Sequence, residues 1–174
     1  MLNTKTWVIV GLVIAAAMLR IIPHPPNFAP VAAMALFAGA HLADKRIAFL
    51  LPLAAMGLSD IVIGFHDGIL LVYVCMCIAV AIGIQMRGKL GVLTVGGGAL
   101  LSAAVFFAVT NFGVWLTSGM YPLTAGGLVA CYVAAIPFFQ YTLAGNLFYA
   151  ALLFGGYALI ETRVPSLRRA VNSA

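Results

Sequence analysis

Residues 69–86 read ILLVYVCMCIAVAIGIQM, and Arg87-Gly88-Lys89 follow them. This run carries no charge. As an α-helix rising 1.5 Å per residue it reaches about 27 Å, close to the hydrocarbon thickness of a bilayer. A charge-free run of this length closed by two cations is the pattern of a membrane span that ends on the cytoplasmic side. Working outward, His66-Asp67-Gly68 is a tight turn before it, and a second apolar run, 47–65, leads into that turn. After it, a third run begins at about Leu90.

The same alternation holds along the chain. Lys5, Lys45, Arg46, Arg87, Lys89, Arg163, Arg168 and Arg169 all fall at segment ends on one side, and only Arg20 does not. By the positive-inside rule that side is the cytoplasm. Composition agrees. The 174 residues are 64% hydrophobic and 7% charged, whereas a soluble domain carries roughly 25% charged residues. The net charge of +5 does not point to nucleic acid, because the cations flank apolar runs and suit anionic headgroups. The partners implied are the lipid bilayer and no nucleic acid.

The expected fold is all-α: a single domain of about six transmembrane helices, with spans at 6–22, 30–42, 47–65, 69–86, 90–116 and 142–160. A basic cytoplasmic tail occupies 162–174. The first apolar run ends in Arg20 without a small-residue cleavage site, so it is read as a span and not as a signal peptide. Pro23-His24-Pro25-Pro26-Asn27-Phe28-Ala29-Pro30 cannot be regular helix, because proline lacks a donor and biases the residue before it towards extended geometry. The apolar stretch 125–135, bounded by Pro122 and Pro137, is too short to span. It is expected to form a short extra helix on the outer face before the last span. Both termini are then cytoplasmic.

This topology gathers Arg20, His24, Asn27, Asp60, His66 and Asp67 at the outer face. A charge inside the hydrophobic boundary is costly unless paired or hydrated, so Arg20 and Asp60 are expected partners and candidate ligand-binding residues. Asn111 and Trp115 are four apart on one helix face, offering an amide and a flat apolar wall. Tyr73 and Asn146 map to similar depth. Two histidines and two carboxylates suit a divalent metal in type, but they lack metal-ligand spacing, and no metal or other cofactor is assigned. Cys75, Cys77 and Cys131 lie in apolar runs; Cys-x-Cys on a helix points its side chains about 200° apart, against a disulfide or shared metal. Gly11/Ala15, Ala35/Gly39 and Ala151/Gly155 are small-xxx-small pairs that allow close helix approach.

Several stretches carry a resemblance. Residues 20–33 (RIIPHPPNFAPVAA), 52–60 (PLAAMGLSD), 64–66 (GFH), 110–115 (TNFGVW) and 132–139 (YVAAIPFF) resemble an uncharacterised family of small bacterial integral membrane proteins assigned to membrane transport. That family is similar in size and layout to the substrate-binding S components of energy-coupling factor transporters. Those are six-helix proteins that capture a vitamin or metal ion at the outer face. The alanine pattern with which such proteins dock a membrane coupling subunit is matched most nearly here by Gly11-x-x-x-Ala15.

The expected function is therefore transport-related binding of a small molecule, vitamin-like or metal-containing, at an extracytoplasmic pocket. The alternative is a non-transporting membrane subunit or assembly factor that acts through its packing faces. An enzyme is not expected: no nucleophile–base pair, catalytic aspartate pair or His-Glu-x-x-His occurs. No ATP-binding Gly-x-x-x-x-Gly-Lys-[Ser/Thr] is present either, so movement would need a partner or a rigid-body change.

Overall fold

Helix ends fall where the sequence supplies caps and breakers. The computed structural model describes residues 4–65 and 67–164. Six helices occur among them: α1 (Thr4–Leu19), α2 (Val31–His41), α3 (Lys45–Ile63), α4 (Ile69–Gln85), α5 (Val92–Thr117) and α6 (Ala125–Arg163). There are no strands among the described residues. Asp44 caps α3, its carboxylate accepting from the Arg46 N–H at 2.7 Å. Thr124 caps α6 by accepting from the Gly127 N–H at 3.2 Å. Each bond satisfies a donor that a helix start leaves open. Gly64 and Gly68, at φ 102° and 80°, carry the turn between α3 and α4 in a region that side chains disfavour.

The 11-residue α2 is the centre of the molecule. Ten of its residues, Val31 to Ala40, are buried. It packs most extensively on α4 and also contacts α1, α3, α5 and α6. The sequence reading takes 30–42 for a full span, and the helix found there is shorter. Eleven residues rise only about 16 Å, about half the hydrocarbon thickness, and alanines at five of those positions leave room for neighbours on every side. Small residues set the spacing. A methyl on Gly39 would stand 2.2 Å from the Val80 carbonyl oxygen, and one on Gly83 would stand 2.2 Å from that of Leu36. The backbones of α2 and α4 are therefore in direct contact.

Arg87 closes the far end of α2. Its guanidinium donates to the carbonyls of Gly39 (2.9 Å), Leu42 (2.5 Å) and Ala43 (3.3 Å). A cation at a helix C-terminus satisfies orphan carbonyls and favours the dipole. The sequence marks Arg87 only as an orientation signal; the structure gives it this second role. His41 stands beside it in a nest of Phe37, Phe154 and Tyr157, with ring centroids 4.4–5.2 Å away. Lys45 and Arg46 begin α3 at the same end.

A second correction concerns α6. The expected short outer helix and last span are one continuous 39-residue helix, Ala125–Arg163. It is α-helical over Ala125–Ala150, π-helical over Ala151–Gly155 and α-helical again over Gly156–Arg163. Pro137 interrupts neither part. It removes one N–H and leaves one carbonyl four residues back without its usual partner, which a long helix held on both sides of the proline tolerates. Three helices are long and apolar enough to cross a membrane, α3, α5 and α6, against the six expected. At 16, 11 and 17 residues, α1, α2 and α4 are shorter. The three long helices bury only 22–33% of their most apolar windows, so apolar side chains face outward as well as inward. Leu58, Ile61 and Val62 of α3 and Val92 and Leu93 of α5 are examples, the last two 91% exposed. Outward faces of this kind match a lipid solvent.

Candidate functional site

At the end of the bundle away from Arg87, two adjoining cavities open between α4, α5, α6 and the Pro-rich segment. The inner one, about 250 Å³, is bounded by Arg20, Asn27, Met56, Thr142 and Asn146 among others. The outer, about 740 Å³, is bounded by Asn27, Asp67, Leu71, the second half of α5 and the middle of α6. Asn27, Val72, Phe106 and Thr142 line both, so the two are chambers of one space.

Periodicity explains the walls. On α6 the lining residues are Ala135, Phe138, Phe139 and Thr142, with Asn146 in the inner chamber. On α5 they include Phe106, Phe107, Thr110, Asn111, Val114 and Thr117. Both sets repeat every three or four residues, which is one face of a helix. The Pro-rich segment forms the remaining wall. The Phe28 N–H donates to the Pro25 carbonyl at 3.0 Å, closing a turn with Pro26 and Asn27 at its centre. Asn27 sits at φ 66°, a conformation that asparagine adopts more readily than most residues, and Pro before it favours such a turn. The turn rests on α6: a methyl on Gly145 would lie 3.1 Å from the Phe28 Cα, and the Phe28 ring packs against Phe148 and Tyr149.

Arg20 is the cation of the inner chamber. It follows α1 directly, in a turn where its N–H donates to the Ala17 carbonyl at 3.2 Å. Its Nη1 lies 2.9 Å from Asp60 Oδ1 and also donates to Ser59 Oγ and, at 3.4 Å, to the Met56 carbonyl. The Asp60 side chain is 1% exposed and that of Arg20 10%. Tyr73 donates its hydroxyl to Asp60 Oδ2 at 3.0 Å, and Ser59 donates to the Met56 carbonyl at 2.8 Å. Asp60 Oδ1 receives no well-aligned hydrogen bond and is balanced by the guanidinium charge alone. Asp60 and Tyr73 bound neither chamber. They stand behind Arg20 and hold it.

The candidate residues thus separate. Arg20, Asn27, Asn111 and Asn146 line the space, while Asp60 and Tyr73 act through Arg20. Trp115 does not join Asn111 as a cavity wall. It stacks on Phe112 and donates its indole N–H to the Pro122 carbonyl at 3.0 Å, tying α5 to the α5–α6 connection. Asn111 and Trp115 share a helix face in projection, but side chains four apart on a long helix reach neighbours at different depths. His24 is exposed beside the segment, its Nδ1 2.7 Å from the Ile22 carbonyl, and bounds neither chamber. His66 and the tail beyond residue 164 lie outside the described residues. Among the described residues no three His, Cys, Asp or Glu side chains converge as a metal site would need.

Thr142 is the functional candidate that the sequence reading missed. It is 8% exposed, lines both chambers and makes no hydrogen bond to any described residue. Its signal was present: Thr142 and Asn146 are polar, four apart, inside an apolar run.

Fold and site together define an all-helical protein with helices of membrane-spanning length and apolarity, built round a polar-lined cavity at one end. The chain belongs to a family of unknown function, DUF6580, whose model matches residues 1–167. No curated protein and no solved structure matches the chain.

Proposed function

We propose that this is a membrane protein that captures an organic small molecule in the two-chambered cavity, as a step in its uptake. The observation that carries the reading is the connected space itself. It is walled by apolar and aromatic side chains with a few polar groups at set positions, the usual composition of a small-molecule site. Its one arginine is held by Asp60, Ser59 and Met56 and is thus fixed before any ligand arrives. The organic nutrient is favoured over a metal-containing one because the walls are largely apolar and aromatic, and among the described residues no three His, Cys, Asp or Glu side chains converge.

In this reading the chain crosses the membrane six times with both ends in the cytoplasm, as the basic residues indicate. The second passage is made by α2 with the Pro-rich segment. Residues 21–27 of that segment are exposed and suit the watery outer boundary, whereas Phe28 to Pro30, next to α2, are at least partly covered by protein, as irregular backbone at membrane depth must be. The cavity faces the extracytoplasmic side. Movement of the molecule across requires a change of the whole bundle or a coupling subunit.

A second reading has an observation of its own. Gly11, Gly155 and Gly156 have no atom within 4 Å of where a Cβ would stand, so two of the small-residue pairs point away from this chain's own helices. Such faces fit a subunit or assembly factor that docks another membrane helix. Native mass spectrometry of the protein gently purified from its host separates the two. A co-purifying small molecule, lost in Asn111→Ala, supports capture. A clean mass with a stoichiometric protein partner overturns it in favour of the subunit.

A further inference from the structure

Hydrogen-bond roles along the cavity give it a direction. On the α5 wall of the outer chamber most of the donors are already used. Thr110 donates its hydroxyl to the Phe106 carbonyl at 2.7 Å, and Thr117 donates to that of Gly113 at 2.9 Å. Asn111 donates its amide to the Phe107 carbonyl at 2.8 Å. A carbonyl can only accept, so these assignments follow from the partners. What remains on that wall is mostly acceptor capacity, on the Thr110 and Thr117 oxygens and the Asn111 amide carbonyl, beside the second Asn111 N–H and the Ser118 hydroxyl.

The inner chamber holds the cation, together with the Asn146 amide. Arg20 has five N–H donors and no acceptor, and all of its contacts to α3 run through Nη1. Thr142 departs from the other threonines. Where Thr110 and Thr117 return their hydroxyls to the turn before, the Thr142 hydroxyl makes no such bond, and the residue lines both chambers. It is left to whatever occupies the cavity, as donor or as acceptor. Phe106, which lines both chambers, and Phe107, Phe138 and Phe139, which line the outer one, supply aromatic walls.

We infer that the cavity takes an amphoteric organic molecule: an anionic group at Arg20 and Thr142, an apolar or aromatic body against the phenylalanines, and N–H donors on the oxygen-lined α5 wall. This rests on the capture reading above. The arrangement also selects its orientation. Reversal would set an N–H or ammonium group against the guanidinium and move the anion from a charged donor to neutral ones.

The test uses the full chain in detergent and four matched probes read by titration calorimetry: 3-[4-(aminomethyl)phenyl]propanoate, 3-(p-tolyl)propanoate, 4-propylbenzylamine and 4-propyltoluene. The first should bind at least about tenfold tighter than either single-ended compound, the scale of one added charge-assisted bond. Thr142→Val keeps the side-chain shape and should weaken both carboxylates about tenfold while leaving the amine and the hydrocarbon unchanged. Arg20→Gln could unfold the chain by leaving Asp60 alone. The neutral pair Arg20→Gln/Asp60→Asn should instead fold and lose all preference for a carboxylate. If 4-propyltoluene binds as tightly as the double-ended probe, the amphoteric class is overturned while capture stands. If no probe binds, the ionisation of the molecule released in native mass spectrometry decides: a neutral one overturns the class. No probe and no co-purifying molecule together overturn capture itself.

Discussion

Removing the positive charge at position 20 should cost more than removing the negative charge at position 60, and removing both should cost less than the two together. In Arg20→Met, the Asp60 carboxylate keeps only the Tyr73 hydroxyl on Oδ2, at 3.0 Å, and its Oδ1 loses the guanidinium. The side chain is 1% exposed, so water does not replace the lost cation. An uncompensated buried charge costs about 3–5 kcal/mol. In Asp60→Asn, Tyr73 can still donate to the amide oxygen. Arg20 keeps Ser59 and the Met56 carbonyl and borders a chamber that water can enter. That loss should be about 1–3 kcal/mol. The double variant should cost no more than Arg20→Met alone, which leaves a coupling of about 1–3 kcal/mol. The assay is unfolding by sodium dodecyl sulfate in mixed micelles, followed by fluorescence of Trp115, which is fastened to Pro122. Single losses that add to within about 0.5 kcal/mol, or Asp60→Asn costing more than Arg20→Met, would refute the reasoning.

Gly39→Ala sets a methyl 2.2 Å from a backbone oxygen of α4 and should cost at least about 2 kcal/mol in the same assay, whereas Gly11→Ala, with nothing within 4 Å, should stay within about 0.5 kcal/mol. Equal effects would disprove the α2–α4 backbone contact. Trp115→Phe should lower stability by about 1 kcal/mol through the lost bond to Pro122 and leave binding of the calorimetric probes unchanged; weakened binding would return Trp115 to the cavity wall. Gly145→Ala should lift the Pro26–Asn27 turn off α6, because the obstacle at 3.1 Å is the Phe28 backbone. Thiol labelling of Asn27→Cys, in a chain with Cys75, Cys77 and Cys131 replaced by alanine, should then quicken several-fold, and an unchanged rate would count against that seating. In the same cysteine-free chain an impermeant thiol reagent outside the cell should label Asp67→Cys and not Lys45→Cys; the reverse pattern would invert the proposed orientation.

Much of this architecture was legible from residue order, for physical reasons. A helix in lipid must satisfy its own backbone, so runs such as 47–65 and 90–116 declare themselves by hydropathy, with cations at one end, whereas 69–86 is helical as read but, at 17 residues, shorter than they are. Capping followed the same local logic at Asp44 and Thr124. The pairing of Arg20 with Asp60, seen at 2.9 Å, was also within reach, because two charges of opposite sign placed at one depth have few other ways to avoid desolvation. Local signals failed where the answer depended on neighbours. Residues 30–42 are apolar whether lipid or protein surrounds them, and only the packing of five helices round α2 showed that protein does. Pro137 reads as a helix boundary in isolation, yet α6 runs through it.

The site divides along the same line. Periodicity of 3.6 residues gives the polar positions of α5 and α6 as stripes, and the chain alone thus contained Asn111, Thr142 and Asn146 as candidates in kind. Which stripe faces a cavity, and that Trp115 turns to Pro122 while Asp60 and Tyr73 stand behind Arg20, were decided by tertiary structure. Hydropathy and helix period are properties of a segment and its solvent; a cavity is a property of the space that several segments fail to fill, and no single segment records it.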